Sequence, residues 1–309
     1  MKIKYFVLIT GILLVGCSAP AAATTPELQM ITITPVPPSA TPTLVSPTVT
    51  NTLVLPTATP TLSSSKVSEV WDLVYISDST GWGVADEYAA RIEQDLGVQV
   101  EVHDLWGGAL PALTILDALR GKPHTWVSYT SEKHVDPLPY IEMAEVIVVY
   151  GNWWGSQTKE NPWVWSCYEE EPYPACRETT SCGPETFAQY EANLAAIFEE
   201  IFVIRDGEPV ILRTADWLLP WGPLEKWRAC GQEQICKQCL LNWSDAIHRV
   251  ADEYGVPVAG LLKAFSGPNL DREIPKEFFK DDVHPSAKGV AAIADVLADL
   301  GYEPVAPRK

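Results

Sequence analysis

From Trp71 onward the chain alternates short β-branched runs with longer stretches of helical period, and this alternation restricts its possible architectures more than any other feature. The runs are Trp71 to Ile76, Val98 to Val102, Val146 to Tyr150, Pro209 to Thr214 and Val256 to Leu261. Each is bounded by polar residues or Gly, as buried parallel strands are. Helical patterns fall between them at 84–96, 111–120, 186–202, 241–254 and 286–300. In the last, Ala291, Ile293, Ala294, Val296, Leu297 and Leu300 lie mostly on one face, and Gly301 supplies a stop. Strict alternation predicts an α/β fold: a doubly wound, flavodoxin-like five-stranded parallel sheet that binds ligands at the carboxyl ends of its strands.

Residues 1–65 lie outside this pattern. Lys2 and Lys4 precede an apolar stretch from Tyr5 to Val15, which has the length of a secretory signal and is too short to span a bilayer. It ends in Leu14-Val15-Gly16-Cys17, which resembles the lipobox of bacterial lipoproteins. That resemblance implies cleavage before Cys17, lipidation of its thiol, and an extracytoplasmic protein anchored to the bacterial membrane at the cell surface or in the periplasm. From Ser18 to Ser65 the chain is rich in Thr and Pro, with Glu27 as its single charged residue, and reads as an extended spacer. The expected organisation is a signal peptide at 1–16, a lipidated Cys with a disordered linker at 17–65, and one domain at 66–309. A domain of that length is enough for one substantial core.

Composition narrows the partners. The 22 Lys and Arg face 40 Asp and Glu, and removal of residues 1–16 takes away two lysines and no acid, so the net charge of −18 becomes −20. The acidity therefore belongs to the domain, and its average surface repels a phosphate backbone, which excludes nucleic acid as a partner. With 47% apolar residues and a mean hydropathy of +0.01, wholesale disorder and a multi-span membrane protein are excluded too.

Two stretches break the alternation, Trp153 to Glu185 after the third strand and Asp216 to Leu240 after the fourth. Each holds three Cys: Cys167, Cys176 and Cys182 in the first, Cys230, Cys236 and Cys239 in the second. The second set has a spacing that also suits zinc, but an exported chain meets oxidising conditions in which thiols pair, so both stretches read as disulfide-stapled excursions. Three is odd, so complete pairing requires at least one bridge between them, and the excursions must then touch.

The first strand runs into Ser77-Asp78-Ser79-Thr80-Gly81, a hydroxyl-rich turn that opens a helix. A nucleophile placed there stands at the sheet's edge near a helix N-terminus, although the same residues serve equally as a helix cap. Near the other end, Asp281-Asp282-Val283-His284-Pro285-Ser286 precedes the last helix. Asp and His three residues apart across a turn can set a carboxylate against Nδ1 and leave Nε2 free as a base; a plain surface turn has the same appearance.

Taken with Gly107-Gly108 after the second strand and Gly151-Asn152 after the third, these segments resemble the four blocks of the SGNH hydrolases, also called GDSL esterases/lipases. The order and spacing agree over about 66–303, with two departures: the first block opens on Ser77 where the family has Gly, and Trp153 stands where an Asp usually follows the Asn. The resemblance implies Ser79 as nucleophile, His284 as general base and Asp281 as the residue orienting the imidazole. It implies an oxyanion hole made of the Ser79 amide, the Gly108 amide and the Asn152 side chain, with Gly107 as the alternative donor. Neither a metal nor an organic cofactor is implied. His103, His124, His134 and His248 have no comparable setting.

Trp153, Trp154, Trp163 and Trp165 crowd the first excursion, either as aromatic planes beside a substrate or as the core of a small disulfide-held subdomain. The implied activity is hydrolysis of small-molecule or glycan esters through an acyl-serine intermediate. The other reading on the same fold is a surface lipoprotein that binds a glycan or other ligand without turning it over.

Overall fold

Strand β1 (Val70–Ser77) begins exposed and is buried from Leu73 to Ser77, five consecutive positions that need neighbours on both faces. The computed structural model describes residues 69–108, 110–127, 134–150, 182–216, 233–281 and 284–307. The strands β3 (Val146–Tyr150) and β4 (Ile211–Ala215) are buried throughout; β3 is apolar along its length, whereas β4 buries Arg213, whose guanidinium donates to the Leu212, Gly301 and Glu303 carbonyls, and Thr214, whose hydroxyl donates to the Val149 carbonyl. By contrast β2 (Gln99–Trp106) alternates Gln99 and Glu101 with Val100 and Val102, the pattern of an edge strand, and β5 (Val258–Ala259) closes the other edge with two residues. All pairings are parallel, in the order β2-β1-β3-β4-β5.

The chain moves one way from β1 to β2 and the other way from β3 to β5, so right-handed crossovers send their helices to opposite faces. Helix α1 (Val84–Leu96) lies on one face, where α7 (Ala287–Ala298) packs against it and Arg91 Nε donates to Asp295 at 2.8 Å. On the other face α4 (Pro184–Ile204) packs between α2 (Ala112–Leu119) and α5 (Glu233–Tyr254). The reversal at β1 opens a crevice at the carboxyl ends of β1, β2 and β3, where Ser77 sits in register with Trp106 and Tyr150. The sheet is the one expected from the sequence.

Three details differ from expectation. Helix α3 (Leu138–Met143) has no counterpart in the sequence reading, because six residues are too few to display a period. The apolar run at 256–261 is divided: Gly260 precedes α6 (Leu261–Ser266), and the buried Asp216 at the end of β4 holds that helix by accepting from the Leu262 amide at 3.0 Å. The second excursion is shorter than its expected bound at 240, since α5 starts at Glu233. Its buried stripe of Cys236, Cys239, Leu240, Trp243, Ile247 and Val250 shows that the cysteines themselves continue the helical period.

Cys182, just ahead of α4, is bonded to Cys239 on α5, with Cα atoms 5.4 Å apart. This is the bridge between excursions that parity demands. Cys236 is also disulfide-bonded, so the two helical cysteines are not zinc ligands. Cys167, Cys176 and Cys230 lie outside the described residues. Beside the bridge, Trp243 of α5 meets Phe187 and Tyr190 of α4 edge-on at centroid separations of 4.7 and 5.1 Å, so this pair of helices is both stapled and packed. Among the described residues no helix is long and apolar enough to cross a membrane.

Candidate active site

At the end of β1 the side chain of Asp78 caps a single 3-10 turn, Ser79–Gly81, by accepting from the Thr80 amide at 2.7 Å and from the Thr80 hydroxyl. The cap reading of this segment and the nucleophile reading are thus divided between two neighbouring residues: Asp78 makes the cap, and Ser79 is left to point elsewhere. Burial pushes the Asp78 carboxyl upward in pKa, while the Thr80 hydrogen bonds act in the opposite direction. Behind the turn, a Cβ at Gly81 would come within 2.5 Å of Ser77 Cβ and 2.6 Å of Ser77 Oγ. That contact gives Ser77 a physical context. The side chain at 77 fits because position 81 has none.

On the far side of the crevice the segment before α7 is folded back on itself. The Lys280 amide donates to the His284 carbonyl at 2.9 Å, and Phe279 and Pro285 form an antiparallel bridge. Ser286 caps α7 by accepting from the Gly289 amide at 3.3 Å, and its own hydroxyl donates to the Glu277 carbonyl. A Cβ at Gly289 would lie 2.1 Å from the Phe278 carbonyl oxygen, so only Gly lets α7 start this close to the loop.

Within that loop the Asp281 carboxylate accepts twice from one residue, from the His284 amide at 2.7 Å and from Nδ1 at 2.8 Å. A proton on Nδ1 leaves Nε2 as an acceptor, and the Ser79 hydroxyl donates to it at 3.1 Å. Ser79 and His284 are 205 positions apart in sequence. Asp281, His284 and Ser79 therefore form a continuous chain from carboxylate through imidazole to hydroxyl.

The turn after β2 separates its two glycines. The Gly107 amide already donates to the Ser77 carbonyl at 3.0 Å, and a Cβ there would meet Trp126 at 2.9 Å, so Gly107 is a close-packing residue. Gly108 is exposed, and the engaged amide of the pair is that of Gly107. Asn152 lies outside the described residues, as do Trp153, Trp154, Trp163, Trp165 and Cys17.

The other histidines are engaged away from this chain of hydrogen bonds. His103 bonds Asp72 at 2.7 Å, His124 meets His134 edge-on, and His248 lies 3.9 Å from Asp216. Among the described residues Asp72, Glu101 and His103 are the grouping with ligand atoms close enough to hold a metal, within 4.8 Å of one another. Asp72 and Glu101 pair in register near the starts of β1 and β2, away from the crevice, and His103 lies two residues further along β2, opposite Val74.

No protein-family model and no curated protein matches the sequence. Solved structures do. A variant of an acetyl-xylooligosaccharide esterase from Geobacillus stearothermophilus aligns with a TM-score of 0.50 at 15% identity, over 79% of this chain and all of that one. The chain has the SGNH hydrolase fold. Further SGNH-type neighbours are an acetyl xylan esterase (TM-score 0.46, 14% identity, 74% of this chain and 99% of that one) and a GDSL-like lipase from Bacteroides thetaiotaomicron (0.42, 11%, 74% and 86%).

Sequence reasoning missed three side chains around this SGNH crevice: Trp82, which follows the 3-10 turn, Trp106, which ends β2, and Lys280, which precedes Asp281. Their nearness to the four blocks was visible, but the contacts among them depend on the fold.

Proposed function

We propose that this protein is an extracytoplasmic serine ester hydrolase, tethered to the bacterial membrane through lipidated Cys17. The observation that carries the reading is the Asp281–His284–Ser79 chain, with contacts of 2.8 and 3.1 Å at the crevice of an SGNH hydrolase fold. In the reaction, Ser79 Oγ attacks the ester carbonyl carbon as its proton passes to His284 Nε2. Asp281 holds the ring through Nδ1 and stabilises the imidazolium.

The resulting oxyanion receives hydrogen bonds from the Ser79 and Gly108 amides and the Asn152 side chain. Collapse breaks the bond to the alcohol, which leaves with the proton from Nε2. Water, deprotonated by the same nitrogen, then attacks acyl-Ser79 and releases the acid, restoring Ser79. Candidate substrates are O-acyl esters of carbohydrates and lipid or short-chain esters.

The test of the chemistry is release of nitrophenolate from 4-nitrophenyl acetate by the purified protein, with and without EDTA. Turnover insensitive to EDTA supports a triad mechanism; loss of turnover in EDTA points to a metal instead. The tether is tested by metabolic labelling with a radioactive fatty acid. Label and membrane association should both disappear in Cys17→Ala, and label that persists moves the anchor elsewhere.

A further inference from the structure

Trp82 is half exposed, at 50%, although an indole gains more than most side chains from burial. It closes the 3-10 turn that carries Ser79, and its amide donates to the Ser79 carbonyl at 3.4 Å. Its ring lies 6.1 Å from that of Trp106, tilted by 31°, and Trp106 immediately precedes the Gly107-Gly108 turn. The Lys280 ammonium sits 4.9 Å from the Trp82 ring centroid, and Lys280 is joined to the base loop through its amide and adjoins Asp281. Three elements thus bring the nucleophile, an oxyanion donor and the base to the crevice, and the same three bring this aromatic pair and its cation.

The chemistry of the patch is selective. An indole face accepts the polarised C–H groups of a ring or a cation, and an ammonium has three protons to donate. An alkyl chain laid on Trp82 would strip water from the Lys280 ammonium and return no hydrogen bond, which is costly. A sugar ring packs its C–H groups on the exposed half of the indole while its ring, hydroxyl or ester oxygens accept from the Lys280 ammonium that lies over the Trp82 ring.

We propose that Trp82, backed by Trp106 and flanked by Lys280, is the platform for the sugar ring of the substrate's alcohol half, which makes the preferred substrate an O-acylated glycan and not a long-chain lipid ester. This rests on the ester-hydrolase reading and selects between the substrate classes that it leaves open.

The test compares kcat/KM on glucose pentaacetate, 4-nitrophenyl acetate and decyl acetate, whose alkyl chain lies in the alcohol half. Wild type should favour the pentaacetate over decyl acetate. Trp82→Ala should lose at least tenfold more on the pentaacetate than on 4-nitrophenyl acetate, mainly through KM, and Trp82→Phe should recover part of the loss. Lys280→Met should move the balance towards decyl acetate by about fivefold or more. Equal losses on the pentaacetate and 4-nitrophenyl acetate in Trp82→Ala, or a wild type that prefers decyl acetate, would overturn the platform while leaving the hydrolase reading intact. If wild type cleaves no ester, the hydrolase reading falls, and calorimetric binding of glucose pentaacetate decides the platform alone. Binding weakened at least tenfold in Trp82→Ala supports it; no binding by wild type ends it.

Discussion

The two halves of the candidate triad are held by different physics. The turn at the end of β1 is fixed by burial and steric fit: Ser77, Asp78, Thr80 and Gly81 are all buried, and Gly81 leaves no room beside Ser77 for another carbon. The loop ahead of α7 is open, with the side chains of His284 at 36% and Asp281 at 50% exposure, and hydrogen bonds hold it. A nucleophile must present one atom in one place, which close packing secures. In a triad the imidazole accepts and returns a proton in each turnover, and hydrogen bonds to one carboxylate are enough to aim it.

Removing either reacting atom gives the largest effect and is blind to how each half is held. Ser79→Ala and His284→Ala should each lower kcat on 4-nitrophenyl acetate by about 10⁴-fold or more, with little change in melting temperature. Asp281→Ala comes next. It removes the acceptor for both the His284 amide and Nδ1, and should cost about 10² to 10⁴ in kcat while leaving measurable turnover, because the base itself survives. A loss as complete as that of His284→Ala would mean that the loop collapses without its carboxylate.

The buried half predicts a pattern that the open half does not. Gly81→Ala should destabilise by about 1 to 3 kcal/mol through overpacking and lower activity by displacing the Ser79 turn. Adding Ser77→Gly removes the two atoms that collide most severely and leaves Tyr150 Cδ1 at 3.0 Å, so the double variant should recover part of both losses. Additive losses in stability melts would show that the steric account of this turn is wrong.

The buried side also carries an electrostatic cost. Asp104 on β2 has its Oδ1 buried without a hydrogen-bond partner, and burial, with a smaller contribution from the Asp86 charge, raises its carboxyl from an ordinary value of 3.8 to about 7. Between those values the unfolded chain has lost a proton that the folded chain keeps. Stability therefore falls as pH rises through that window and stays lowered above it. Asp104→Asn should raise the melting temperature by about 2 to 4 °C at pH 8 and by much less at pH 4. An equal gain at both would assign the effect to packing.

The contrast between the halves also explains what the sequence made legible. The strands were readable because β3 and the inner part of β1 are apolar on both faces, and the turn at Ser79 stood out through its hydroxyls together with its resemblance to the first SGNH block. Asp281 and His284 were readable because their pairing is local, three residues across one turn. The division of labour between Asp78 and Ser79 was not, since cap and nucleophile demand the same residue types. Nor was the length of α5, whose stripe runs through Cys236 and Cys239, residues that suggest loops and staples before they suggest a helix face. The Trp82–Trp106–Lys280 patch was hidden for another reason: its members are far apart in sequence, and none of them belongs to a motif.

The most direct test of the central claim is capture of the acyl-enzyme. Rapid acid quench of the purified protein during turnover of 4-nitrophenyl acetate, followed by peptide mass spectrometry, should find an acetyl group on Ser79. Both that adduct and the burst of nitrophenolate should be absent from Ser79→Ala. Hydrolysis that persists in Ser79→Ala, or an acetyl group found only on another residue, would contradict the assignment of Ser79 as nucleophile.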